Sequence, residues 1–161
     1  MIDPRSLANV ILDLAESDGV PVTNLSLNKI AYFLHGAYLA KFGEPLIDAK
    51  IEAWQYGPVF REIYHQFKGA GDKPIKHRAK TLNLESGEYE VSGCNLKQSE
   101  YDFLKSVAMP YIRMRAGTLV RLSHVENGPW HRAWFYDGDV NPGMEITNKS
   151  IEAYFREQLR H

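Results

Sequence analysis

A chain of 161 residues with 44% apolar and 24% charged side chains is long enough to bury its own core and too apolar for a disordered segment. Nineteen Lys and Arg against twenty Asp and Glu leave a formal charge of -1, which makes no case for a nucleic-acid coat or a polybasic membrane surface. Cys94 is the single cysteine, too few for a disulfide framework or a cysteine-type zinc site; with no signal peptide and no apolar run of ~20 residues, the expectation is one cytoplasmic domain over residues 1–161.

Asp3 and Pro4 read as the cap and first residue of a helix carrying Leu7, Val10, Ile11 and Leu14, with Ile2 stapling back onto Leu7. A second helix over about 26–42 has apolar residues on a stripe wide enough for burial on more than one side, and Gly43 stops it. Residues 44–57 form a connection with a short extended piece at Ile51–Trp54. Pro58 is expected at the first position of a third helix with Val59, Ile63 and Phe67 on one stripe, ending at Gly69-Ala70-Gly71. Residues 81–84 and 89–91 alternate around Ser86-Gly87 as a small β-hairpin, marginal unless it packs on helices. A fourth helix from about Ser99 is expected to end or kink near Met109, because Pro110 cannot donate to the Ser106 carbonyl. Thr118 is expected to cap a short helix, Pro129 to open another, and Thr147 to cap the last, whose Ile151, Tyr154, Phe155 and Leu159 face inward. The fold class is therefore mostly α (α+β): five to seven helices around the helix at about 26–42, with one small hairpin or sheet near residues 80–92.

The motifs that carry chemistry are sparse. No glycine-rich phosphate loop is present. His124 and Glu126 form the H-x-E that opens a zinc deaminase signature, but the cysteine pair that completes that metal shell is missing, and no H-E-x-x-H occurs. Of the six histidines, His35, His65, His77, His124, His131 and His161, only His124 and His131 lie close enough in sequence to share a site easily. A metal there needs Glu126 or Asp137 as a further ligand. The plainer reading has His124 bonding a loop backbone to fix its turn. Lys29, Tyr32 and His35, at i, i+3 and i+6, form either a small pocket or docking edge, or polar tips snorkelling at the core margin. Lys73, Lys76, His77, Arg78 and Lys80 are the one local basic run, read as a solvated face, and no expected helix is basic enough to read DNA. Trp54, Tyr56, Trp130, Trp134 and Tyr136 sit on connections as core plugs or interface anchors, with two or three of them expected in the core.

Two stretches, residues 51–59 and 122–130, each place an indole beside a Gly-Pro step, Gly57-Pro58 and Gly128-Pro129. With Lys29, Ile30, Tyr32 and Tyr38 on the second helix, then Glu52-Ala53-Trp54, Tyr64, Phe67-Lys68 and Leu122-Ser123-His124, their order and spacing resemble the Panacea domain of toxin–antitoxin pairs. His35 and the Asn127-Gly128 loop depart from the pattern. The resemblance implies an antitoxin, found in chromosomes, prophages and phage-derived elements, that neutralises a cognate protein toxin encoded nearby by direct contact rather than catalysis. It also implies a second mode, an adaptor delivering the toxin to a protease. Many such proteins carry an additional N-terminal domain, which this chain is expected to lack. The rival from another class is a metal-dependent hydrolase using His124, Glu126 and His131. On the antitoxin reading there is no cofactor, metal or catalytic residue, and no membrane or nucleic-acid partner; a homo-oligomer is compatible with it. Lys29, Tyr32, Trp54, Gly57, Pro58, His124 and Pro129 then carry the structural motif, and Trp130, Trp134 and Tyr136 with Arg121 and Arg132 meet the partner.

Overall fold

The computed structural model describes residues 1–136 and 142–160. Its elements in order are α1 (Pro4–Ser17), α2 (Asn24–Phe42), β1 (Ile51–Trp54), β2 (Gly57–Phe60), α3 (Arg61–Phe67), β3 (Lys80–Leu82), β4 (Tyr89–Val91), α4 (Gln98–Ile112), α5 (Ala116–Ser123), α6 (Pro129–Trp134) and α7 (Asn148–Leu159). This is a mostly helical α+β fold, as the periodicity predicts, with two small antiparallel sheets in place of one. No helix among the described residues is long and apolar enough to cross a membrane.

α2 is the axle. Its residues from Ser26 to Gly36 are all buried, and it packs against α1, α4, α5, α7 and β2. It begins at Asn24, two residues ahead of the expected start; Thr23 caps it by accepting the Ser26 N–H, and Gly43 closes it in the left-handed conformation. On one side Phe33 stacks on Tyr111 of α4, ring centroids 4.5 Å apart. On another, Gly36 leaves room for the ring of Phe155, which lies against the α2 backbone where a Cβ would otherwise stand. Leu27, Ile30, Leu34, Phe60, Phe67, Leu104 and Ile151 complete the core around it.

Pro58 does not open a helix. It lies in β2, paired with Ala53, in a hairpin whose loop is only Gln55 and Tyr56. One residue beyond the closing pair of a two-residue hairpin, the backbone N–H points away from the partner strand, so proline's missing donor is tolerated. Gly57 takes φ +117°, a conformation few other residues tolerate, and α3 starts only at Arg61. Pro110 does not end α4 either: the helix runs through it to Ile112, and Pro110 and Ser106 are both exposed residues, so the carbonyl left without its donor lies on the solvent side of the helix. Thr118 lies inside α5, whose cap residue is Arg115. Pro129 does open α6, and Thr147 caps α7 by accepting the Ser150 N–H.

The β3–β4 hairpin leaves its strand residues largely in solvent and is tied down at its base. Buried Asn9 of α1 donates to the carbonyls of Ala79 and Ser92 and accepts the Ala79 N–H. Within the basic run, Arg78 pairs with Asp13 at 2.8 Å and with Glu16, while the neighbouring lysines are exposed.

Candidate functional site

The two Gly-Pro stretches meet in space, and the β1–β2 turn is where they meet. Three helices hold it. From α2, Lys29 Nζ donates to the Pro58 carbonyl at 2.9 Å. From the end of α5, His124 Nε2 lies 3.2 Å from the Gln55 carbonyl, with Nδ1 2.6 Å from the Val120 carbonyl. From α6, Trp130 Nε1 donates to the Trp54 carbonyl at 2.8 Å, its ring centroid 3.6 Å from that of His124. Gly57 is the pivot: a Cβ there would stand 2.5 Å from Lys29 Cε and 2.6 Å from Ser123 Oγ. A side chain at position 57 would thus drive both neighbours out of place.

His124 therefore fixes a turn through backbone carbonyls, as the plainer reading of it expects. His131 Nδ1 accepts the Asn127 N–H. Among the described residues no three His, Cys, Asp or Glu side chains are grouped to hold a metal ion, so the geometry does not assemble His124, Glu126 and His131 into a metal centre. Asp137 and His161 lie outside the described residues.

The five connecting aromatics divide. Trp130 is a core plug, 5% exposed. Trp54 is only half-buried, so one of the five, not two or three, lies fully in the core: its ring meets Tyr64 edge to face at 4.8 Å and its Nε1 donates to Glu52. Tyr56 stands exposed at the tip of the turn. Trp134 and Tyr136 are 38% and 51% exposed, and between them Phe135, not singled out from the sequence, is 62% exposed. Trp134 stacks on Trp130, centroids 5.6 Å and planes 13° apart, so the exposed set rests on the plug that also holds the turn. Arg132 on α6 donates from Nε to the Asn127 carbonyl, and Arg121 projects into solvent from α5.

Lys29, Tyr32 and His35 lie inside the core, not at its margin. Burial drives the Lys29 amine down to about 7 from the usual lysine value, since the charged form loses its water. Burial pushes the Tyr32 phenol far up for the same reason. Burial also lowers His35, and the hydrogen bond to Asn148 partly opposes it. The Ile47 N–H donates to His35 Nδ1, so the ring proton sits on Nε2 and is given to Asn148 Oδ1 at 2.8 Å. This ring pins the start of α7 and the chain before β1 to the middle of α2.

Sequence reasoning missed Asn28, whose side-chain carbonyl accepts the Phe60 N–H and closes the end of β2. The available signal was an asparagine inside an otherwise apolar helix, which is tolerated only when every polar atom is partnered. Ser123, buried against Gly57 and donating to the Val120 carbonyl, gave no such signal.

A family model described as "Antitoxin SocA-like, Panacea domain" matches residues 27–131, which run from α2 to α6 and include every group that holds the β1–β2 turn. Antitoxin SocA of Caulobacter vibrioides is 35% identical over 158 residues, covering 98% of this chain and 84% of that protein. No solved structure matches the chain.

Proposed function

The chain belongs to the SocA-like antitoxins with a Panacea domain, and on that premise we propose that it silences a cognate protein toxin by binding it directly. The observation that carries this reading is the run Trp134, Phe135 and Tyr136: three consecutive large aromatics, all exposed, standing on the buried Trp130. Large aromatics held rigidly at a surface lose little entropy on binding and dominate contact energies. A chain of formal charge -1 gains little long-range steering, so affinity must come from burial and local fit. A stable complex is expected to bury about 1,200–2,000 Å² in total, with Trp134 and Tyr136 as anchors and Arg121 and Arg132 as their polar partners.

The test is co-purification with the product of the adjacent gene, followed by titration of toxin activity. Full neutralisation at equimolar antitoxin, overwhelmed by excess toxin, supports direct silencing. Protection at strongly sub-stoichiometric antitoxin in cells, lost when the host protease is deleted, replaces it with delivery for degradation. Within the direct reading, a folded Trp134→Ala/Tyr136→Ala variant is expected to lose binding, and unaltered protection by it overturns the placement of the surface.

A further inference from the structure

A second surface lies on the β3–β4 hairpin. Two bonds fix its ladder: the Asn83 N–H donates to the Glu88 carbonyl at 2.8 Å, and the Ser92 N–H to the Ala79 carbonyl at 2.9 Å. Bonded positions alternate in an antiparallel pair, so Thr81 and Glu90 exchange the bonds between these two. The pairs Lys80–Val91 and Leu82–Tyr89 then turn their N–H and C=O groups outward. On the β3 side the outward Lys80 N–H is taken by Gln66 Oε1 at 3.1 Å. On the β4 side the outward groups of Tyr89 and Val91 have no partner among the described residues.

β4 is thus an open sheet edge, and its side chains give that edge a character. By alternation Tyr89 and Val91 share one face with Leu82, and they are 69%, 60% and 46% exposed. Glu88 and Glu90, also exposed, take the other face. The strand pairs with β3 residue for residue, with no bulge, and carries no lysine or proline, the usual guards of a free edge. Its glutamates are the only guard. Over residues 80–91, Glu85, Glu88 and Glu90 stand against a single basic residue, Lys80, in a chain of formal charge -1. Such an edge repels an acidic strand and attracts a basic one. The same charge disfavours a second copy of the chain: β4 laid antiparallel on β4, with Tyr89 opposite Val91, sets Glu90 directly against Glu90.

We propose that the β4 edge takes up an extended segment of a protein partner as a third strand, a segment in which apolar residues alternate with lysine or arginine. The partner's backbone completes the outward N–H and C=O groups of Tyr89 and Val91. Its apolar residues extend the face formed by Leu82, Tyr89 and Val91, and its basic residues lie beside Glu88 and Glu90. A two-stranded hairpin is marginal in water, and the third strand makes it a sheet.

The experiment is a two-dimensional NMR titration of the intact protein with a blocked peptide of about seven residues alternating lysine and valine, and with its counterpart alternating glutamate and valine. The basic peptide should shift the Tyr89, Glu90 and Val91 amides saturably, with affinity of about millimolar for so short a strand. The acidic peptide should bind at least about tenfold more weakly. With the basic peptide at about ten times its dissociation constant, hydrogen exchange at the Tyr89 and Val91 amides should slow at least about fivefold, because both become hydrogen-bonded. Val91→Pro removes one outward N–H and none of the hairpin's own bonds, so it should keep the β3–β4 signals and lose the peptide. Glu88→Lys/Glu90→Lys, at two exposed positions, should reverse the preference between the peptides. No shifts from the basic peptide up to about 20 mM, equal binding of the two peptides, or shifts without slowed exchange at Tyr89 and Val91 would overturn the proposal. Slowed exchange at those amides on concentrating the protein alone, with a dimer in sedimentation, would overturn it in favour of self-pairing. Neither peptide involves the toxin or the exposed aromatics, so the proposal and the antitoxin reading fail separately.

Discussion

Replacing Lys29 by Met tests whether a buried amine is held in this core at a cost. In the unfolded chain the amine has the ordinary lysine value of 10.5; in the folded protein burial brings it to about 7. Between these values the unfolded state holds a proton that the folded state has released, so stability rises with pH through this window and falls as pH drops towards 7. One proton contributes about 1.4 kcal/mol per pH unit, so wild-type stability should gain about 3 kcal/mol from Lys29 between pH ~7 and ~9.5. Tyr32 acts oppositely but later. Because its phenol is raised, the stability it contributes is fully present below the ordinary tyrosine value of 10.0 and is lost only above it, which sets the upper limit of the useful range. Lys29→Met nearly keeps the volume of the side chain, one heavy atom shorter, but leaves the Pro58 carbonyl without its donor, a penalty of about 1–3 kcal/mol. The assay is urea unfolding of both proteins at several pH values across the window. The wild type should become more stable by about 3 kcal/mol relative to the variant on going from neutral to alkaline pH, whatever the offset between them. Parallel stability curves for the two proteins across that range would refute the reasoning.

Further outcomes are expected from other positions. Gly57→Ala combines a backbone at φ +117° with a Cβ forced onto Lys29 and Ser123, and should lower stability by about 2–4 kcal/mol in denaturant melts. Trp54→Ala, at a half-buried ring, should cost about 2 kcal/mol, less than a fully buried indole would. Asn9→Ala strips the base of the β3–β4 hairpin of three hydrogen bonds and should cost about 2–4 kcal/mol, with hydrogen exchange accelerated in that hairpin first. Because burial holds His35 below the ordinary histidine value, its ring should stay neutral in an NMR titration to below pH ~6.5, and the stability it contributes is present above that pH and lost as pH falls further.

The helices were legible because their signals are local. Asp3 and Pro4 start α1, Thr147 caps α7, and the apolar positions of α2 encircle the helix, which is how a sequence records burial on all sides. The two Gly-Pro steps show where local signals run out. Gly128-Pro129 opens a helix as the dipeptide suggests, whereas Gly57-Pro58 belongs to a strand. Nothing within residues 55–60 distinguishes the two. What decides is tertiary: Asn28 takes the Phe60 N–H, Lys29 takes the Pro58 carbonyl, and β1 pairs along the segment. Pro110 did not end α4 for a related reason: Pro110 and Ser106 are both exposed, so the loss of one backbone hydrogen bond there is tolerated within the helix.

The candidate site was legible as a set of residues and not as an arrangement. Spacing put Lys29, Tyr32 and His35 along one helix, and a lysine and a histidine on a helix ordinarily mark its wet side. Here both lie in the core because other segments bring them partners across long sequence separations: Pro58 for Lys29, Asn148 and Ile47 for His35. In this chain the residues that carry the resemblance are thus joined by contacts between distant segments. Trp130 carries that argument furthest. Its sequence context marks it as one of three neighbouring aromatics, but its indole N–H is committed to the Trp54 carbonyl and its ring to His124, so it is the mount on which Trp134 rests. It follows that truncating Trp130 should disturb both the turn and the exposed aromatics, while truncating Trp134 should disturb neither the turn nor the fold. Trp130→Ala is accordingly expected to cost about 3–5 kcal/mol and to shift the amide signals of Gln55 and Tyr56. Trp134→Ala should leave those signals in place and change stability by less than about 1 kcal/mol. If Trp134→Ala moved the turn signals as far as Trp130→Ala does, the division between mount and contact surface would be wrong.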